Sequence, residues 1–195
     1  MKKSAYLGWA KRILTLSLAS LLVACAAPAR IDQMQVNSSL ATRTAAKESS
    51  LRDSVSIRDV TGGKDTNPLW ISSVSSNDFE RALEVSLRDA GLWSPNRQAS
   101  KYLLVVHLEK LDQPFGGFDM TVTANVRYSL VERASNKAVF ERSLSTPYTA
   151  KLSDAFLGVE RMKLANEGAV RTNIQQLIDQ LVALKLTVAE LKIQQ

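Results

Sequence analysis

The hydrophobic and polar positions of this chain fall into blocks with different periods. From Phe118 to Val131 they alternate, with Met120, Val122, Ala124, Val126, Tyr128 and Leu130 on one face. Asp119, Thr121, Thr123, Asn125, Arg127 and Ser129 take the other. A period of two with one apolar face predicts a strand wetted on one side. Tyr102 to Leu111 is a more uniformly apolar strand, and Ser54 to Val60 a short one closed by Gly62-Gly63. Ala138 to Thr146 reads as a fourth strand, stopped by Pro147. Between the first two strands Phe79, Leu83, Leu87 and Ala90 recur at helical spacing. Asn77, with Glu80 three residues on, fits a capping box at the start of that helix, and Gly91 ends it.

A second helix, starting between Ser153 and Val159, carries Val170, Ile174, Leu177, Leu181, Leu184, Val188 and Leu191 at alternating spacings of four and three. Its simplest placement is along the dry face of the sheet. A helix of about 30 residues spans some 45 Å, longer than the sheet expected beneath it. The part beyond Leu184 is then free for self-association with a second copy or for a partner. The order β-α-β-β-β-α predicts a single α+β domain: a parallel crossover, two antiparallel hairpins, helices on one face of a mixed sheet and a long C-terminal helix.

Lys2, Lys3, Lys11 and Arg12 precede an apolar run from Ile13 to Ala24, the layout of a secretory signal. The run is short of the 18 or so residues that a membrane span needs. It closes on Leu22-Val23-Ala24-Cys25, which resembles the bacterial lipobox. That resemblance implies cleavage before Cys25, acylation of its thiol with palmitate or a similar chain, and a mature protein held at a membrane. Two or more acyl chains anchor stably where one does not. Alanine rather than aspartate at residue 26 implies the periplasmic face of the outer membrane. The expected division is therefore 1–24 signal peptide, 25–50 lipidated N-terminus and flexible tether, and 51–195 periplasmic domain. The tether is rich in Ala, Ser, Thr and Gln without periodicity, and extended it reaches about 80 Å. A short strand from Ile31 to Val36 is the alternative for part of it.

The signal segment holds four of the chain's 25 basic residues, so the formal charge of +6 falls to about +2 once it is removed. That balance argues against a nucleic-acid partner. The single cysteine leaves no thiol for a disulfide, so the fold rests on its core.

Candidate chemistry is sparse. His107 is the only histidine, alternates with Val105 and Glu109, and reads as a structural sheet residue. No Gly-x-Ser-x-Gly elbow, phosphate loop or dinucleotide fingerprint is present. Gly62-Gly63 and Gly116-Gly117 read as turns, and Asp112 and Asp119 as a solvated hairpin rim. No catalytic residue, metal or cofactor is expected. Topology is more informative. It gathers three connections at one rim: Gly62 to Ser76 with Leu69, Trp70 and Ile71; the hairpin with Phe115 and Phe118; and Phe156-Leu157. Apolar residues in loops on a rigid scaffold mark contacts. Trp70, Phe115, Phe118, Phe156 and Leu157 are thus the partner-binding candidates, unless they fold back as lids over the core. With the tether entering near Leu51, this edge is expected to point away from the anchoring bilayer.

The architecture resembles small envelope lipoproteins, among them the lipopolysaccharide-assembly lipoprotein and the auxiliary lipoproteins of ABC-type lipid transport systems. NDFERALEVSLRDAGLW, TVTANVRYSL and FLGVERMKLANEGAVRTNI are similar to segments of uncharacterised Gram-negative lipoproteins. The resemblance implies a non-enzymatic, membrane-anchored lipoprotein, an envelope assembly or transport accessory that contacts an envelope protein. The alternative is a lipid- or glycan-binding periplasmic module, its ligand held between sheet and long helix beside Val122, Val126 and Leu177.

Overall fold

The computed structural model describes residues 26–67 and 72–185. In chain order the elements are α1 (Ile31–Met34), α2 (Leu40–Lys47), β1 (Val55–Thr61), α3 (Ser76–Ala90), β2 (Tyr102–Asp112), β3 (Met120–Glu132), β4 (Lys137–Ala150) and α4 (Gly158–Ala183). The strands form one sheet in the order β1-β2-β3-β4. β1 pairs parallel with β2 across the α3 crossover, and the two later pairs are antiparallel. This is the α+β domain anticipated from the periodicity. No helix among the described residues is long and apolar enough to cross a membrane.

Local chemistry explains the boundaries. The N-cap of α3 is Ser75 rather than Asn77: its Oγ accepts from the Asp78 N–H at 3.1 Å and donates to the Asp78 carboxylate at 2.7 Å. Gly91, in the left-handed region at φ 81°, turns the chain out, and the Leu92 N–H returns to the Leu87 carbonyl. All six apolar residues that alternate along β3 are buried. β4 runs on through Pro147, which pairs with Thr123, to Ala150. Proline is tolerated there because β4 is an edge strand and no further strand needs its N–H.

β3 and β4 are long enough to match the described length of the last helix, and the part expected to overhang, beyond Leu184, falls almost wholly outside the described residues. Thirteen residues of β3 extend about 43 Å, and the 26 residues of α4 about 39 Å. Val170, Ile174, Leu177 and Leu181 are spent on the intramolecular core, and Leu184 packs against it. Val188 and Leu191 lie outside the described residues.

Polar contacts fix the register of α4 on the sheet. Asn173, wholly buried, accepts from the Tyr128 hydroxyl at 2.7 Å and donates to Thr146 Oγ1 and to the carbonyls of Ala124 and Leu144. Thr146 in turn donates to the Ala169 carbonyl at 3.1 Å. Val122, Val126 and Leu177 are packed in this core with no exposed surface. The ligand site expected among them is thus filled by the protein's own side chains.

Residues 26–50 are not a flexible tether, nor do they form a strand. They carry α1 and α2 and lie across α3 and α4, with Met34, Val36 and Ala46 buried in the common core. Their backbone is tied at several points to the helices beneath. The Val36 N–H donates to Ser86 Oγ, the Ser38 N–H to Asp89, and Arg171 to the Gln33 carbonyl. Residues 26–50 therefore belong to the domain, whose boundary was expected at 51. The segment starts beside Ser73 and reaches Leu51 at the opposite end of the sheet, reversing the direction of entry expected for it.

Candidate functional site

The parallel β1-β2 pair brings the ends of both strands to one rim, and the antiparallel partners add the start of β3 and the end of β4. The connections here are tied down. Gly62, at φ 83°, passes so close to β2 that a Cβ would lie 2.1 Å from the Leu108 carbonyl oxygen. Gly63 donates its N–H to Ser76 Oγ at 3.0 Å, fixing the turn on the start of α3. Gln113 Nε2 donates to the Ser72 carbonyl at 3.0 Å and to Asn166 Oδ1 at 2.7 Å. Asn166 Nδ2 bonds the same Ser72 carbonyl at 2.9 Å. Asp119 accepts from the Leu152 N–H at 3.1 Å.

Arg161, in the first turn of α4, is the central clamp. Its buried guanidinium donates from Nη1 to the carbonyls of Ala155 and Phe156 at 2.8 and 2.7 Å, and from Nη2 to the Gly117 carbonyl at 3.1 Å. One side chain thus holds the loop bearing Phe118 and the loop bearing Phe156.

The apolar side chains on these loops face solvent. Phe115 is fully exposed, Phe118 is 81% exposed, Phe156 88% and Leu157 55%. They do not act as lids. Burying such a side chain stabilises by about 1.5–3 kcal/mol, and here that energy is left unused on a rigid frame. Beside Phe115 lies a cleft of about 730 Å³ walled by Lys110, Leu111, Pro114, Met120 and Met162. Cys25 and Trp70, the other two residues singled out from sequence, lie outside the described residues.

The incoming chain reaches this same rim. The Ala29 N–H donates to the Ser73 carbonyl at 3.4 Å. Ala26 and Pro28 line a hollow with Thr66, Ser73 and Asp78, while Ser72, next in the chain, lines the Phe115 cleft. Arg161, Asn166 and this junction escape sequence reasoning, because their partners are distant backbone groups.

His107 bonds Thr61 Oγ1 through Nδ1 at 2.9 Å on the exposed sheet face. Asp112 is engaged by Lys110 and Asn125, and Asp119 by the Leu152 N–H, so the two do not converge on a common point. Among the described residues no group of three or more His, Cys, Asp or Glu could hold a metal ion.

No family model and no curated protein matches the sequence. Similar solved structures include a Caulobacter crescentus chain taken to be a lipoprotein, at 9% identity, covering 73% of this chain and 93% of that one with a TM-score of 0.49. A Xanthomonas campestris protein of family DUF330 has 14% identity, coverage of 67% and 80%, and a TM-score of 0.47. The PelC dodecamer of Paraburkholderia phytofirmans has 16% identity, coverage of 69% and 91%, and a TM-score of 0.47. None of these gives a residue of this chain a role.

Proposed function

We propose that this chain is a lipid-anchored envelope protein, held through Cys25, that works by binding rather than catalysis as an accessory to envelope assembly or transport. The observation that carries the reading is the exposure of Phe115, Phe118, Phe156 and Leu157 at the rim where the described chain starts, at Ala26 to Ala29. Exposed apolar side chains on loops pinned by Arg161 form a contact surface. The buried polar groups Asn173, Glu167 and Asn166 are meanwhile engaged in internal hydrogen bonds. Leu22-Val23-Ala24-Cys25 supplies the anchoring motif, and Ala26 favours the outer membrane.

The test is intact-mass and fatty-acid analysis of the protein from membranes, compared with Cys25→Ser. A diacyl or triacyl mass that vanishes in Cys25→Ser, together with release from the membrane fraction, supports the anchor. An unmodified Cys25 overturns it. Photocrosslinking from Phe115 in cells then identifies the contact.

The cleft of about 730 Å³ beside Phe115 and Met162 favours a second reading, in which the rim takes a lipid or glycan. Native mass spectrometry of the purified protein separates the two, since a carrier retains ligand and an accessory does not.

A further inference from the structure

We infer that the rim of Phe115, Phe118, Phe156 and Leu157 docks on the membrane leaflet that holds the acyl chains of Cys25. The inference rests on the lipid-anchor reading above and names the contact of the same surface. Its basis is reach. The Ala29 N–H is fixed to Ser73, and Arg30 is fixed to Glu167 through its backbone and guanidinium. Three residues separate Cys25 from Ala29, so the two Cα atoms are at most about 14 Å apart in extended chain. Ala26 is itself buried against the body, which shortens the free length to the bond beside Cys25. A bilayer that holds Cys25 is therefore held at this rim, instead of the roughly 80 Å away that a free tether of 25 residues would permit.

The surface presented at that place suits a bilayer. Phe115, Phe118, Phe156 and Leu157 project from two connections of the same rim, and Leu152 adds a fifth exposed apolar side chain. The backbone carbonyls of Gly117, Ala155 and Phe156 are satisfied by Arg161, which lowers the cost of bringing these three groups to an apolar environment. The opposite rim, where β2 begins and β3 meets β4, has the polar loops Pro95–Ala99 and Arg133–Asn136, all exposed. The molecule is thus polarised along its strands, with the anchor at the apolar end. The solvent-facing side of the sheet and the polar rim are what remain to meet other envelope components.

The test uses the full acylated protein in vesicles of phosphatidylethanolamine and phosphatidylglycerol. With Cys25 acylated, a cysteine placed by Phe115→Cys, Phe156→Cys or Gln98→Cys is the sole free thiol and takes an environment-sensitive fluorophore. Acyl-chain nitroxide lipids are expected to quench the probe at 115 and 156 at least threefold more than at 98, with a blue shift at the first two positions only. Equal quenching at all three positions, in protein whose mass confirms the acyl chains, overturns the docking and leaves the anchor standing. A mass without acyl chains overturns the anchor reading instead. Phe115→Cys probes that are shielded in native membranes but not in pure lipid also overturn the inference, in favour of a protein partner.

Discussion

Arg30 and Glu167, 137 residues apart, make the junction that fastens the N-terminal segment to the body. The Glu167 carboxylate, 1% exposed, accepts from the Arg30 backbone N–H at 2.8 Å and from Nε and Nη2 at 3.1 Å each. Hydrogen bonding to Glu167 raises the guanidinium pKa and outweighs the opposing effect of burial. The pair is therefore charged on the arginine side at every pH where the protein folds. Arg30→Ala leaves the buried carboxylate with the backbone donor alone. Because nearly half of the Arg30 side chain is solvated, the loss is trimmed by screening to about 1–2 kcal/mol. Urea denaturation measures that value. Amide exchange gives the sharper check: Val36 and Ser38 should open well before Leu104 and Val106, and equal rates would mean the pair does not fasten the segment.

The Tyr128–Asn173 bond predicts sensitivity to base. Burial pushes the Tyr128 phenol well above its ordinary range. In the unfolded chain a tyrosine titrates near about 10. Above that pH the unfolded state binds fewer protons than the folded state, so stability falls as pH rises. The contribution is complete below about pH 10 and declines by about 1.4 kcal/mol for each further unit. Tyr128→Phe should flatten this decline in thermal melts between about pH 9 and 11. At neutral pH it strands Asn173 Oδ1 at about 1–3 kcal/mol. A parallel decline in both proteins would assign the base sensitivity to other groups.

These two contacts also mark what could be seen in the sequence. The alternation along β3 and the spacing of Phe79, Leu83 and Leu87 are local, and both elements form as the pattern dictates. The N-terminal segment gave no such signal. Its buried anchors, Met34, Val36 and Ala46, are too few to sustain either period, and its partners Ser86, Asp89 and Glu167 come from helices far along the chain. Composition alone made it a tether entering near Leu51, whereas the described chain starts beside Ser73. The exposure of Phe115 and Phe156 was legible in outline, since both fall in connections at one rim. Arg161 was not, because a guanidinium bound to carbonyls leaves no mark on the residues it binds.

Gly168 predicts a substitution effect that runs against helix propensity. It lies within α4 beneath the Tyr148 ring, where a Cβ would meet ring carbons at 2.2–2.4 Å. Glycine to alanine in a helix ordinarily stabilises by about 1 kcal/mol. Here the ring must move or the helix lift from β4, and overpacking costs about 1–3 kcal/mol. Arg171 stacks over the same ring at 5.6 Å, which limits where it can go. Gly168→Ala should therefore lower the urea midpoint, and Tyr148→Ala in the same chain should restore most of the loss. If the double substitution is no more stable than Gly168→Ala alone, steric conflict with Tyr148 is not the cause.

Arg161 and the phenylalanines it positions should separate stability from surface properties. Phe115, Phe118 and Phe156 are exposed, so changing all three to Ser removes little native packing. Each such surface change is expected within about 0.5 kcal/mol of neutral. The triple variant should melt as the parent does and bind lipid vesicles more weakly than the parent in a flotation assay. Arg161→Met is the converse. It keeps the apolar side chains but strips donors from the carbonyls of Gly117, Ala155 and Phe156. Hydrogen exchange should then rise at residues 115–119 and 155–158, with a loss of about 1–3 kcal/mol because Arg161 is buried and multiply bonded. A triple Ser variant that fails to fold cooperatively would return these rings to the core, and with them the lid interpretation of the rim.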